Sequence, residues 1–362
     1  MTQGLGRLDD FPRAELCRLP TAIEPLRNLA RRVGGPDIWV KRDDQCGPAL
    51  GGNKARQLEF YLGEARAQAA DTILITGAVQ SNFVRLAAAS ARMLGMECHI
   101  QLEERVPRSD AAYRNSGNVL LDRILGATIH SYPQGEDEAG ADRRLREIAS
   151  ELEDQGRRPY IIPLAPGHKP LGALGYVAAA REVLQQLAEQ KISIDEIIVP
   201  SGSGNTHAGL LVGLRALGCR VRVTGVCVRR GASEQEERIM ARCDEIAELL
   251  GIGSPAGRSD MHLMDEVLGP GYGRLNEATL EAIELTARSE GLLVDPVYSG
   301  KAMAGCIRRA REARAGRSLL FLHTGGVPAI FAYAEDLSAA LGPSGTAGRC
   351  GPDEGKSTLG SG

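Results

Sequence analysis

Gly51-Gly52-Asn53-Lys54-Ala55-Arg56 is the stretch on which the reading of this chain turns. Two glycines let a backbone pass close to a ligand without a side-chain clash. Asn53 suits the N-cap of the helical pattern that follows, which puts Lys54 in the first helical turn. A cation is electrostatically misplaced there, because the positive end of the helix dipole disfavours it. The same field lowers the cost of holding Lys54 as a neutral amine, or as an imine to an aldehyde cofactor. Taken alone, the stretch fits an ordinary surface lysine beside a glycine turn equally well.

Working outward, Ile38 to Lys41 reads as a strand, and Lys41-Arg42-Asp43-Asp44 as a charged loop, mainly solvated, with positioning of a group near Lys54 as the alternative. Before them, residues 1–36 read as an irregular lead with one short helix, Ile23 to Arg32. After Lys54, the apolar spacing of Leu58, Tyr61, Leu62 and Ala65 fits an amphipathic helix over 55–70. Thr72 to Thr76 is a buried strand, Gly77 to Asn82 its turn, and Phe83 to Leu94 a helix. Strands Glu97 to Leu102, Thr128 to Ser131 and Tyr160 to Pro163 alternate with helices Asn118 to Leu125 and Gly140 to Gln155. Such alternation implies an α/β fold, with parallel-dominated sheets and helices on both faces.

Residues 164–176 hold prolines and glycines that mark a domain crossing or a ligand loop, and a helix follows from Gly175 to Gln190. The strand Ile194 to Val199 then runs through Pro200-Ser201-Gly202-Ser203-Gly204-Asn205-Thr206 into a helix near His207. Small and hydroxyl residues between a strand and a helix start offer N–H groups, hydroxyls and a helix dipole to a phosphate. The loop lacks the Gly-Lys-Ser/Thr of a P-loop and is not a clean G-x-G-x-x-G; a purely structural tight turn is the alternative. Strand Val221 to Val228, helices Ser233 to Leu250 and Glu277 to Glu290, and a strand-to-loop crossing over Leu292 to Gly300 follow. Helix Lys301 to Ala313, strand Leu319 to Leu322 and the turn His323 to Pro328 complete the pattern. The order predicts a larger cofactor domain from 1–55 and 168–340, a smaller inserted α/β domain over 56–167, and a disordered tail over 341–362.

Composition narrows the function. A chain of 362 residues with formal net charge -3 carries no electrostatic signature of nucleic-acid or anionic-membrane binding. It has no run of eighteen apolar residues and no signal-peptide pattern, so the expectation is a cytoplasmic protein acting on small molecules. Eight cysteines without a C-x-x-C pair and six histidines without ligand spacing predict neither a redox pair nor a metal site.

Lysine after GGN, the turn QSN, the Ser/Gly/Thr cup and a final HTGG turn, in that order, resemble pyridoxal-phosphate enzymes of fold type II, the tryptophan-synthase-β type. Within it, GGNKARQLEF, GAVQSNFVR, RRPYIIP, GALGYV, SGSGNTHAGL, PGYG, LLVDPVYSGKAMAG and LHTGGVPAIFAY resemble the subfamily of D-cysteine desulfhydrase, 1-aminocyclopropane-1-carboxylate deaminase and L-cysteate sulfo-lyase. The resemblance covers about residues 10–337 and implies pyridoxal 5'-phosphate as cofactor. It implies that Lys54 bonds the cofactor and shuttles the α-proton, that Asn82 holds its ring hydroxyl, and that Gly202, Ser203, Gly204, Asn205 and Thr206 hold its phosphate. Ser81, with the backbone around Asn82 and Phe83, would seat the substrate carboxylate. Tyr298 would lie against the ring and Tyr272 near the substrate, where the alternative for each is a satisfied core tyrosine. A homodimer and an amino-acid substrate are implied likewise.

Ser299 stands where the family faces the pyridine nitrogen and where the cyclopropane deaminases carry a glutamate. A neutral hydroxyl favours departure of a good leaving group from Cβ over ring opening, which argues for β-elimination to pyruvate and ammonia. D-cysteine desulfhydrase is the nearest pattern. L-cysteate sulfo-lyase, resembled by Leu102 to Pro107, is the alternative, and another β-substituted alanine, the cyclopropane amino acid or a non-catalytic binder are more distant ones. Phe83 replaces a usual histidine. Pro166-Gly167-His168-Lys169 replaces a Gly-Gly-Ser-Asn-like loop, so Gly167 and His168 are candidate substrate contacts. With His168 and Lys169 inward they suit an anionic Cβ substituent; outward, they are solvated.

Overall fold

A computed structural model describes residues 4–164, 167–313 and 316–342, so the expected tail lies, from 343 onward, outside the described residues. Among the described residues ten strands form two sheets: β1 (Ile23–Pro25), β2 (Asp37–Lys41), β3 (Thr72–Ala78), β4 (Glu97–Glu103), β5 (Thr128–Tyr132), β6 (Pro159–Ile162), β7 (Glu196–Ser201), β8 (Arg222–Cys227), β9 (His262–Met264) and β10 (Ser318–Leu322). The larger sheet runs β1-β2-β10-β7-β8-β9 and the smaller β5-β4-β3-β6. Every pairing is parallel except β1 with β2. The α/β expectation with parallel-dominated sheets is therefore met.

The strand sequences explain their places. β3 and β7 are buried along their whole length, as strands covered on both faces must be, and both read as nearly continuous apolar runs. β5, at the edge of the smaller sheet, has no buried residue. Among the described residues no helix is long and apolar enough to cross a membrane.

Several elements differ from the sequence reading. The helix expected over 23–32 is split into β1 and a helix Arg27–Val33; Pro25 lacks an N–H donor and so fits the outer edge of a sheet. Leu292 to Val294 is not a strand. The Asp295 carboxylate accepts the N–H groups of Val297, Tyr298 and Ser299, which turns the backbone into the helix Ser299–Glu312 instead of a ladder. β9 and the helix Ala111–Asn115 are too short for periodicity to reveal.

The charged loop after β2 is not solvated. Lys41 and Asp43 are fully buried, because partners from distant segments close over them. Arg56 holds Asp43 and Glu182, Lys41 holds Glu182 and Gln186, and Thr21 and Tyr176 donate to Asp43. Cys17 is joined to Cys46 with their Cα atoms 5.2 Å apart. A search for closely spaced cysteines misses this pair, whose members lie 29 residues apart.

The carboxyl ends of β3, β7 and β10 deliver three turns to one place, as expected of ligand sites on open parallel sheets. Beside them, Gly52 and Gly325 meet backbone to backbone. Gly52 has φ +130°, and a Cβ there would stand 3.0 Å from the Thr324 carbonyl; one on Gly325, at φ +83°, would stand 2.9 Å from the Gly52 Cα. The GGN and TGG motifs are glycine-rich because they pack on each other, and the Asn53 N–H donates to the Thr324 carbonyl at 3.1 Å.

Candidate active site

The three turns and the Lys54 loop line one cavity, reached by Lys54, Ser81, Asn82, Phe83, Gly202, Ser203, Gly204, Thr206, Tyr272 and Tyr298. Lys54 opens the helix Lys54–Ala67. Its Nζ has no hydrogen-bond partner among the described residues and lies 5.2 Å from the Phe83 ring centroid. Desolvation lowers its pKa to about 8, so a neutral amine is accessible near neutral pH. Asn53 does not cap this helix. Its backbone is already helical, and its side chain instead donates to Thr206 Oγ1 at 2.8 Å, tying the lysine turn to the candidate phosphate cup.

Ser81 is the N-cap of the helix Asn82–Met93, and its Oγ accepts from the N–H groups of Phe83 and Val84. Acting as acceptor leaves the Ser81 hydroxyl hydrogen free to point into the cavity. Asn118 Nδ2 donates to Asn82 Oδ1 at 3.0 Å, so the amide nitrogen of Asn82 is the end left for a ligand.

The loop after β7 leads into the helix Asn205–Ala216, whose N-cap position is Gly204 at φ +103°, with no side chain capping its first N–H groups. An uncapped helix start open to a cavity is a seat for an anion. Asn205 is buried and lies behind the loop; its Oδ1 has no partner among the described residues. Tyr272 and Tyr298 meet edge to face and share a hydroxyl–hydroxyl hydrogen bond of 2.5 Å. Burial raises both phenol pKa values, so both are protonated at neutral pH.

Four candidates, Asn205, Ser299, Gly167 and His168, do not line this cavity. Ser299 is fully buried beneath it: its Oγ bonds the Asp295 carboxylate at 2.6 Å and the Gly325 carbonyl at 3.0 Å, and accepts the Asp295 N–H. Gly167 does not line the cavity. His168 stands against Asp142 at 2.8 Å, and Lys169 is exposed.

Sequence reasoning did not single out Arg105, Arg229, Arg238, His207 and Thr324, all of which line the cavity. Only Val228 separates the Arg229-Arg230 doublet from the end of β8, and charged residues at the carboxyl end of a parallel strand are a legible signal. His207 is fully buried, its pKa depressed to about 4 by desolvation and then by His262, and it bonds Ser201 Oγ through Nδ1. His323 accepts the Gly325 N–H on Nδ1 and holds the Leu293 carbonyl with Nε2, which fixes the TGG turn.

Residues 15–325 match the family model described as pyridoxal-phosphate dependent enzyme. The D-cysteine desulfhydrases of Salmonella typhi and Salmonella choleraesuis are each 43% identical over 331 residues, covering 91% of this chain and 98% of theirs. A crystal structure described as an ACC deaminase homologue superposes with a TM-score of 0.82 at 35% identity, covering 94% of this chain and 99% of that one. O-ureido-L-serine synthase, 20% identical with a TM-score of 0.62 and coverage of 91% and 95%, shares the fold.

Proposed function

The chain belongs to the pyridoxal-phosphate dependent enzyme family, and from that membership we propose a β-elimination of the D-cysteine desulfhydrase type. The substrate is a cysteine-like amino acid, and the products are pyruvate, ammonia and sulfide. One observation carries the reading: the unpartnered amine of Lys54 and the uncapped start of the Asn205–Ala216 helix open into the same cavity. These residues fit pyridoxal phosphate, since the helix start suits its phosphate and the amine its aldehyde carbon. When bound, the cofactor supplies the electron sink that makes the Cα–H bond acidic.

The chain's own groups do the rest. Ser81, through its hydroxyl, and the turn at Asn82 orient the substrate carboxylate, which aims Cα–H at the Lys54 amine. Lys54 takes that proton. The Cα–H pair becomes the Cα=Cβ bond as the Cβ–S pair leaves with sulfur, and the Tyr272–Tyr298 hydroxyl pair, protonated at neutral pH, would donate a proton to that sulfur. The released aminoacrylate is hydrolysed to pyruvate and ammonia. The reading includes a homodimer, implied by the family resemblance, acting in the cytoplasm.

The test is product analysis. Holoenzyme incubated with D-cysteine, L-cysteine, L-cysteate and 1-aminocyclopropane-1-carboxylate should give pyruvate with sulfide from D-cysteine. Turnover of the cyclopropane compound alone, to 2-oxobutyrate, would replace this reading.

A further inference from the structure

We propose that Lys301 and Tyr333 are positioning residues for the elimination: together they grip the two carbonyls that flank Tyr272, and so hold its hydroxyl against that of Tyr298. The proposal deepens the β-elimination reading and rests on it for the work of the tyrosine pair, which is to protonate the departing sulfur.

Tyr272 has little local structure to fix it. It stands in an irregular stretch between β9 and the helix Glu277–Glu290, with Gly271 at φ +144° on one side and Gly273 at φ +65° on the other. A turn with glycine on both sides of its working residue is conformationally loose, yet the Tyr272 hydroxyl stands 2.5 Å from that of Tyr298. Contacts from outside the turn must supply the order. Lys301, whose side chain is fully buried, donates from Nζ to the Leu268 carbonyl at 2.5 Å and to the Gly271 carbonyl at 2.9 Å. Tyr333 donates from its hydroxyl to the Gly273 carbonyl at 2.6 Å. The residues before and after Tyr272 are thus each held by a side chain from elsewhere in the chain.

Both grips have features that packing alone does not require. Burying an ammonium is costly, and the start of a helix disfavours a cation. Lys301 meets both conditions in the first turn of Ser299–Glu312, and no carboxylate pairs with it among the described residues. A methionine would fill the same space without the charge. Tyr298 is the N-cap residue of that helix, so one element presents one tyrosine of the pair and, three residues on, the cation that holds the turn of the other. The Tyr333 ring is secured independently of its hydroxyl: it meets Tyr113 edge to face with centroids 5.9 Å apart, and its own centroid lies 4.8 Å from the Arg108 guanidinium, which Asp110 and Asp336 hold. Removing the hydroxyl therefore releases the Gly273 carbonyl and leaves the ring in place.

The test uses two leaving groups. Sulfur leaves D-cysteine with a proton, whereas chloride leaves β-chloro-D-alanine without one, so only the first reaction needs a correctly placed tyrosine hydroxyl. Pyruvate release from both is measured as kcat and KM for holoenzyme of wild type, Tyr333→Phe, Lys301→Met, Tyr272→Phe and the double variant Tyr272→Phe/Tyr333→Phe. Tyr333→Phe and Lys301→Met should each lower kcat for D-cysteine by about tenfold or more, a fraction of what a placed general acid contributes. KM and the chloride reaction should stay within about twofold of wild type. Tyr333→Phe should add nothing in the Tyr272→Phe background, because the hydroxyl it positions is already gone. For Tyr333→Phe, an equal loss on both substrates, no loss on either, or a loss that multiplies in the double variant would overturn the proposal and leave β-elimination standing; should Lys301→Met fail to fold, Tyr333→Phe alone decides it. No pyruvate from either substrate in the wild type would overturn β-elimination and this role with it.

Discussion

The Nζ of Lys54 lies 5.2 Å from the centroid of the Phe83 ring, so the amine at the centre of the site has an aromatic face and no hydrogen-bond partner beside it among the described residues. The ring face favours the ammonium form, burial disfavours it, and burial prevails, lowering the pKa to about 8. Capture of pyridoxal phosphate by apoenzyme requires the neutral amine. Its rate should therefore rise with pH and reach half its plateau near pH 8, where an ordinary lysine would titrate above 10. Stopped-flow absorbance between pH 6 and 11 measures this.

Asn53 and Gln57 both donate to Thr206 Oγ1 at 2.8 Å. Thr206→Val keeps the shape and removes the acceptor, leaving two buried amide groups unpartnered. It should cost about 2–6 kcal/mol at roughly 1–3 kcal/mol per orphaned group, read from urea unfolding. Cofactor affinity should fall with it, because this bridge couples the lysine turn to the candidate phosphate cup.

Arg56 is the hub of the buried network beneath the Lys54 turn. Burial pushes Asp43 and Glu182 up, but Arg56, by charge and hydrogen bonds, together with Lys41 outweighs it, and both carboxyls titrate below their ordinary values. Their contribution to stability is present above the unfolded carboxyl range, near pH 4, and is lost as pH falls through the lower folded values. Arg56→Met should destabilise the protein at pH 7 by about 3–5 kcal/mol, the cost of orphaning buried charge. It should also flatten the acid limb of a stability profile taken from pH 2 to 6.

Gly52→Ala and Gly325→Ala each place a Cβ at a positive φ and within about 3 Å of backbone atoms, 3.0 Å and 2.9 Å respectively. Strain of this kind costs on the order of 1–3 kcal/mol. Each variant should lower Tm and loosen cofactor binding, with the holoenzyme losing cofactor on dialysis faster than wild type. Gly34→Ala, also at positive φ but in open space, should lower Tm without that second effect.

Local chemistry made part of this molecule legible. Lys54, Ser81 and the Gly202–Thr206 loop each sit at a strand-to-helix turn, where glycine, hydroxyl and cap residues write their role into a few consecutive letters. What escaped depends on distance. Asp43 looked solvated because its partners Arg56, Tyr176 and Thr21 come from elsewhere in the chain. Arg105 and Arg229 enter the cavity from the ends of different sheets. Ser299 and His168 were placed at the site by analogy, but Asp295 holds the first below the cavity wall and Asp142 draws the second away from it. Leu292 to Val294 has strand composition, yet the Asp295 carboxylate ends the extended run before any neighbour can pair with it.

Lys54 and Lys301 are both lysines whose pKa burial lowers to about 8, and they separate the account from its rival. Lys301 Nζ is spent on the carbonyls of Leu268 and Gly271, whereas Lys54 opens onto the cavity. Borohydride reduction of holoenzyme, followed by peptide mapping by mass spectrometry, fixes the cofactor to the lysine that holds it. The account predicts a phosphopyridoxyl group on Lys54 and its loss, with the visible absorbance of the bound cofactor, in Lys54→Ala. Label on Lys301, on any other lysine, or on none would contradict it.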